Sequence, residues 1–166
     1  MSSAVYWIDK LGLEPHPEGG YFREVYRSED TVSKAGLPDR FDGDRSAATL
    51  IYYLLRNDEF STLHRIKSDE IWVHIAGGNL DIHQIRSDGE YKKHQLGKNL
   101  DSNQTPVCVI EQGTWFGASL PDENTFCLCT CLVAPGFDFT DFEMGDPEQL
   151  KKAYPEHITI INKLRR

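Results

Sequence analysis

The sequence predicts an all-β fold, a jelly-roll barrel with short flanking helices, and three observations lead there. About eight to ten short runs rich in β-branched and aromatic residues follow one another at turn-marked intervals. The run from Glu70 to Ile75 alternates with period two, Glu70, Trp72 and His74 on one face against Ile71, Val73 and Ile75 on the other. A chain of 166 residues with 39% hydrophobic composition can bury one full core, so residues 1–166 are read as a single domain.

Taken in order, Ser2 and Ser3 can cap a short helix from Ala4 to Leu11, which Gly12 ends. Its Tyr6, Trp7 and Leu11 are expected to plug an end or edge of the barrel. A Pro/Gly-rich loop over 13–20 leads into a strand from Tyr21 to about Tyr26. Residues 29–45 are polar, contain Gly36, Pro38 and Gly43, and read as a long excursion or lid. The apolar run 47–56 is a central strand, because Ile51, Tyr52 and Tyr53 favour extended backbone, and Asn57-Asp58 turns it. Strands near 60–66 and 70–76 follow, then 80–85, a turn at Ser87-Asp88-Gly89, and a return over 91–96. Residues 105–110, 114–118 and 125–134 supply the remaining strands. Pro135 to Phe142 closes the barrel with three aromatic rings. Asp146 caps a helix that Pro147 opens, residues 157–164 suit strand or helix, and the basic end 163–166 is solvated.

The stretch from Phe60 to Gly78 organises the chain. Its Glu70-Trp72-His74 face mixes a carboxylate, a large aromatic ring and an imidazole, as a pocket wall does. The spacing of His64, Glu70 and Gly77 resembles the first motif of the cupin barrels, in which a glycine is followed by His-x-His, a glutamate and a closing glycine. Here Ile66 stands at the second histidine and Asp58 at the opening glycine. The second cupin motif falls on Glu111 to Phe116, where Gly113 keeps the glycine and Phe116 replaces the histidine.

Further stretches are similar to one branch of small cupins that carries a domain of unknown function. They are Glu18-Gly19-Gly20-Tyr21-Phe22-Arg23, Ser68-Asp69-Glu70-Ile71-Trp72, Gly113-Thr114-Trp115, and Val133-Ala134-Pro135-Gly136-Phe137-Asp138-Phe139-Thr140-Asp141-Phe142. The resemblance spans residues 10–145 and implies a cupin-type double-stranded β-helix; the fold alone implies no particular chemistry.

A net charge of −8 repels a nucleic-acid polymer. No apolar run reaches membrane-spanning length and no leader pattern opens the chain, which reads as cytoplasmic with no membrane partner. Cysteines 127, 129 and 131 alternate, so a strand places them on one face; without Cys-x-x-Cys spacing they read as buried thiols in a reducing compartment.

His64 and Glu70 both point into the barrel if the motif alignment holds. The resemblance to cupins that epimerise nucleotide-linked keto-sugars implies a metal-free mechanism. His64 would remove a proton beside a carbonyl, Glu70 would orient it, and Tyr52 or Tyr53 would act as the acid. A nucleoside diphosphate or nucleotide sugar would need cationic donors, for which Arg23, Arg65 and Lys67 are the candidates. It would also need ring faces, from Trp72, Trp115 or Phe116, with His74 on the same wall as Glu70. No cofactor is expected; a divalent metal, if held, would take His64 and Glu70 as ligands. The alternatives are an iron- or manganese-dependent oxygenase and a non-catalytic metabolite sensor. A homodimer is expected, since pairing a sheet edge removes an aggregation hazard.

Overall fold

The computed structural model describes residues 3–57, 59–123 and 125–165. The expected helix is α1 (Ala4–Leu11); the Ser3 hydroxyl accepts from the Tyr6 amide at 3.2 Å, and Gly12 ends the helix at φ 61°. Ser2, Asp58 and Arg166, to which a cap, a turn and a solvated end were ascribed, lie outside the described residues. The helix does not plug the barrel. Ala4, Trp7, Ile8 and Leu11 pack with Leu13, Leu54 and Leu128 on the outer face of a sheet, and Tyr6 stays exposed.

The strands run in order as β1 (Glu14–Pro15), β2 (Tyr21–Arg27), β3 (Thr31–Val32), β4 (Arg45–Ser46), β5 (Thr49–Arg56) and β6 (Phe60–Arg65). They continue as β7 (Asp69–Gly77), β8 (Leu80–Ile85), β9 (Tyr91–Leu96), β10 (Val107–Ile110), β11 (Trp115–Ser119), β12 (Phe126–Ala134) and β13 (Glu143–Met144). One sheet has the order β1-β2-β5-β12-β7-β10, the other β13-β6-β11-β8-β9, and every strand pairing within them is antiparallel. Together they form the double-stranded β-helix.

Period-two alternation assigns the faces. On β5, Tyr53 and Leu55 join the interior core while Leu54 faces α1; on β12, Cys127, Cys129 and Cys131 turn inward while Leu128 turns out. Residues 157–164 turn out helical: α3 (Ile158–Lys163) follows α2 (Pro147–Ala153), which Asp146 caps onto the Gln149 amide. Leu150, Ile161 and Leu164 from this end pack over Leu63, Ile85 and Trp115, covering the outer face of the second sheet. Three apolar layers result, two outside and one between the sheets.

The excursion 29–45 is tied down. β3 pairs with β4, Phe41 is fully buried beside the guanidiniums of Arg40 and Arg45, and Arg45 forks onto the buried Asp141 at 2.6 and 2.7 Å. That pair fixes the excursion against the segment carrying Phe137, Phe139 and Phe142.

Candidate functional site

The barrel interior is only partly filled, and a cavity of about 300 Å³ opens among β2, β5, β6, β7 and β12. Buried side chains make its inner wall, chiefly Glu18, Tyr53, His64, Glu70, Trp72 and Cys131; exposed Glu24, Arg27 and Phe139 mark its mouth.

Glu18 reaches this wall because two glycines let the loop fold flat on the sheet. Gly19 and Gly20 have φ of 116° and 70°, and a Cβ at Gly20 would lie 2.6 Å from the Leu54 carbonyl oxygen. The Thr62 amide donates to the Glu18 carbonyl at 2.9 Å, and the Tyr53 hydroxyl donates to the Gly19 carbonyl at 2.7 Å. Held there, the Glu18 carboxylate accepts from the Ser61 hydroxyl at 2.9 Å, and its second oxygen lies 3.1 Å from His64 Nε2.

The tautomer of His64 follows from its other nitrogen. Nδ1 lies 2.7 Å from the Thr62 carbonyl oxygen, which can only accept, so Nδ1 carries a hydrogen. Nε2 then lies 3.1 Å from a carboxylate oxygen, ion-pair distance for a protonated ring. His16 stands on the far side of Glu18, its Nδ1 accepting from the Glu18 amide at 3.2 Å. Burial, outweighing the nearby Glu18 charge, lowers the pKa of His16, so it stays a neutral ring.

Glu70 has the opposite environment. Burial first, and the charge of Glu18 second, push its carboxyl up to about 8, and the Cys131 thiol is its hydrogen-bonding neighbour. At neutral pH Glu70 is a carboxylic acid with a proton to give. Burial also raises Cys131 and Tyr53 well above their ordinary values, so both keep their hydrogens.

The expected partnership of His64 with Glu70 is therefore replaced by His64 with Glu18, a loop residue outside the strand alternation. Tyr53 lines the cavity, but its hydroxyl is spent on Gly19; Tyr52 lies on the opposite face of β5, packed toward α1. Trp72 lines the cavity, edge-on to Tyr53 at 5.3 Å. Phe116 is buried behind His64, ring centroids 4.2 Å apart. Trp115 belongs to the outer core. His74 is turned to the Gly78 carbonyl at 2.9 Å and to the Cys127 thiol, away from the cavity.

The three cations proposed for a diphosphate also lie elsewhere. Arg23 donates to the Leu11 carbonyl at 2.9 Å, tying β2 to α1. Arg65 pairs with Glu143 at 2.7 Å over the Trp115 ring, and Lys67 pairs with Asp42 at 2.6 Å. The residues missed from sequence are Glu18, His16, Cys131 and the aromatic mouth. The one signal for Glu18 was a carboxylate set before two consecutive glycines.

The model of the family described as Cupin superfamily (DUF985) matches residues 5–145. The chain belongs to the cupin superfamily. An uncharacterized protein of Saccharomyces cerevisiae is 33% identical over 168 residues, covering 93% of this chain and 82% of its own. Among solved structures, a Leishmania major protein superposes with a TM-score of 0.90 at 34% identity, covering 99% of each chain. A Shewanella oneidensis protein superposes with a TM-score of 0.89 at 38% identity, covering 100% of this chain and 99% of its own.

Many cupins hold a metal on three histidines and a glutamate, and the described residues of this cupin show no such set. Ile66 and Phe116 occupy two histidine positions. The nitrogens of His64 are committed to Thr62 and Glu18, and Glu70 favours its neutral form. Among the described residues no cluster of three or more His, Cys, Asp or Glu is placed to hold a metal ion.

Proposed function

We propose that this cupin catalyses proton transfer of the isomerase or epimerase kind on a small carbonyl compound. The observation that carries the reading is one cavity lined both by the Glu18–His64 pair and by the neutral carboxyl of Glu70. Two acidic groups whose surroundings drive them to opposite protonation states supply a base and an acid at one pH.

With a proton on His64 Nε2, the Glu18 carboxylate removes a proton from the carbon next to the carbonyl. Glu70 donates its proton to the carbonyl oxygen, giving a neutral enediol. Return of a proton to either carbon, and of the hydroxyl proton to Glu70, completes an isomerisation without a co-reactant. His64, anchored through Nδ1 on Thr62, offsets the charge of Glu18 in the resting pair. Tyr53 holds the Gly19 loop instead of supplying the acid.

The cavity volume sits at the small end for ligand pockets and suits a monosaccharide-sized compound better than a nucleotide sugar. With Arg23, Arg65 and Lys67 engaged outside it and Arg27 at the mouth forked onto Glu24, a diphosphate would meet no unpaired cation in the lining. We therefore place the substrate among phosphate-free carbonyl compounds.

The test is deuterium wash-in from D₂O at the carbon beside the carbonyl, followed by proton NMR, with glucose, xylose and glucosamine as probes. Wild type should exchange at least one of them, and Glu18→Gln or Glu70→Gln should slow that exchange by roughly 10²–10⁴-fold. No exchange with any probe, or exchange indifferent to both substitutions, overturns the reading.

A further inference from the structure

We infer that the cavity selects an organic ammonium group, held against the rings of Phe137, Phe139 and Phe142 with the carboxylates of the mouth around it. The inference rests on the reading of this cavity as the substrate site and narrows the substrate to an amine-bearing compound.

The first observation is the arrangement of rings. All three phenylalanines line the cavity, with centroids 4.9, 6.1 and 6.3 Å apart and planes crossing at 81°, 68° and 72°. Three planes so close to mutually perpendicular cannot all turn their edges in one direction; the His64 ring stacks on Phe142 at 5.2 Å and 28°, so the exposed Phe139 ring at the mouth is the one chiefly offered to an entering group. A ring face is the negative part of the aromatic quadrupole and attracts a weakly hydrated cation.

The second observation is charge. The lining includes the carboxylates of Glu24 and Asp138, the Glu18–His64 pair and the neutral carboxyl of Glu70, against one guanidinium, Arg27. Arg27 is already forked onto Glu24 at 2.8 and 2.9 Å and donates to the Phe137 carbonyl at 3.1 Å. His64 is offset by Glu18, and His16 is neutral. Asp138, between two of the rings, accepts from the amide and hydroxyl of Thr140, donors that hold it as a carboxylate. Arg45 and Arg27 also act on Asp138, but Arg45 is forked onto Asp141 and Arg27 onto Glu24, so an ammonium group at the mouth meets a ring face and the Asp138 carboxylate together. Alkylated ammonium fits better than a bare metal ion, which needs a ligand set absent among the described residues.

The experiment compares choline with its uncharged isostere 3,3-dimethylbutan-1-ol, titrated into the full chain and followed by backbone amide NMR. Choline should perturb residues of the cavity, and the isostere should bind at least about tenfold more weakly. Phe139→Leu, at an exposed ring, and Asp138→Asn should each weaken choline about three- to tenfold and weaken the isostere less. Equal binding of the two compounds, or choline shifts that map away from the cavity or do not occur, overturns the inference. The two readings fail separately. Deuterium exchange without a preference for choline sinks the ammonium site alone, whereas choline selectivity without exchange on any probe sinks the proton-transfer reading alone.

Discussion

Nε2 of His64, on β6, lies 3.1 Å from Oε2 of Glu18, on the loop before β2, and both side chains are almost wholly buried. The contact sets an imidazole against a carboxylate inside a barrel. Glu70 shares their cavity and takes the opposite state because it has burial without comparable donors.

Glu70 makes stability depend on pH. The folded chain keeps its proton up to about pH 8, whereas the unfolded chain releases it near the ordinary 4.5. Between these values the folded state binds more protons, so the group's contribution is fully present below the lower pKa and is lost as pH rises toward the upper one. Glu70→Gln removes that loss. Its stability relative to wild type should grow by about 1.4 kcal/mol per pH unit across the window. Urea melts at pH 5 and pH 7.5 check this; a constant difference contradicts it.

Glu18→Gln keeps the shape but removes the carboxylate beside His64. The amide can still accept from Ser61 and donate to His64, so the fold should survive at a cost of about 1–3 kcal/mol. Deuterium wash-in should fall by the factor given above. A variant that melts like wild type and exchanges like wild type would remove Glu18 from the chemistry.

Arg23→Ala, Arg65→Ala and Lys67→Ala should leave ligand affinity within about twofold, because their partners are Leu11, Glu143 and Asp42, outside the cavity. Calorimetric titration of any ligand found by the choline or sugar experiments decides it. A tenfold loss in any one of them would return the phosphate reading.

Gly20→Ala tests the positioning loop. A methyl group there meets the Leu54 carbonyl oxygen at 2.6 Å and Leu55 Cδ2 at 2.7 Å, on a backbone with φ of +70°. The expected destabilisation is about 2–4 kcal/mol from strain and displaced packing, and wash-in should fall with it as Glu18 moves off His64. A melting temperature equal to wild type would show that the loop has room to spare.

Much of the frame was legible because strands write themselves with period two. The inward face of β7, the shared face of Cys127, Cys129 and Cys131, and the Asp146-Pro147 helix start all follow from local pattern. The choice between Tyr52 and Tyr53 did not, since neighbours on a strand face opposite ways and parity is set by pairing register. Glu18 was hidden for a different reason. It lies on a loop, where no periodicity says which way a side chain points, and it meets His64 only after β2 has joined β5. The cations were overvalued because an arginine beside a motif looks free until its partner, here Glu143 or a helix-end carbonyl, is in view. Residues 157–164 went to helix because Ile161 and Leu164 find their apolar cover on Leu63 and Leu150.

The most direct test is the titration of the Glu70 carboxyl in the full chain by ¹³C NMR, with Glu70→Gln identifying its signal. The account predicts a midpoint near pH 8 that moves down in Glu18→Gln, because the charge of Glu18 is the second cause of the upward shift after burial. A midpoint near the ordinary 4.5 would show two like carboxylates in the cavity and no resident acid, contradicting the proton-transfer reading.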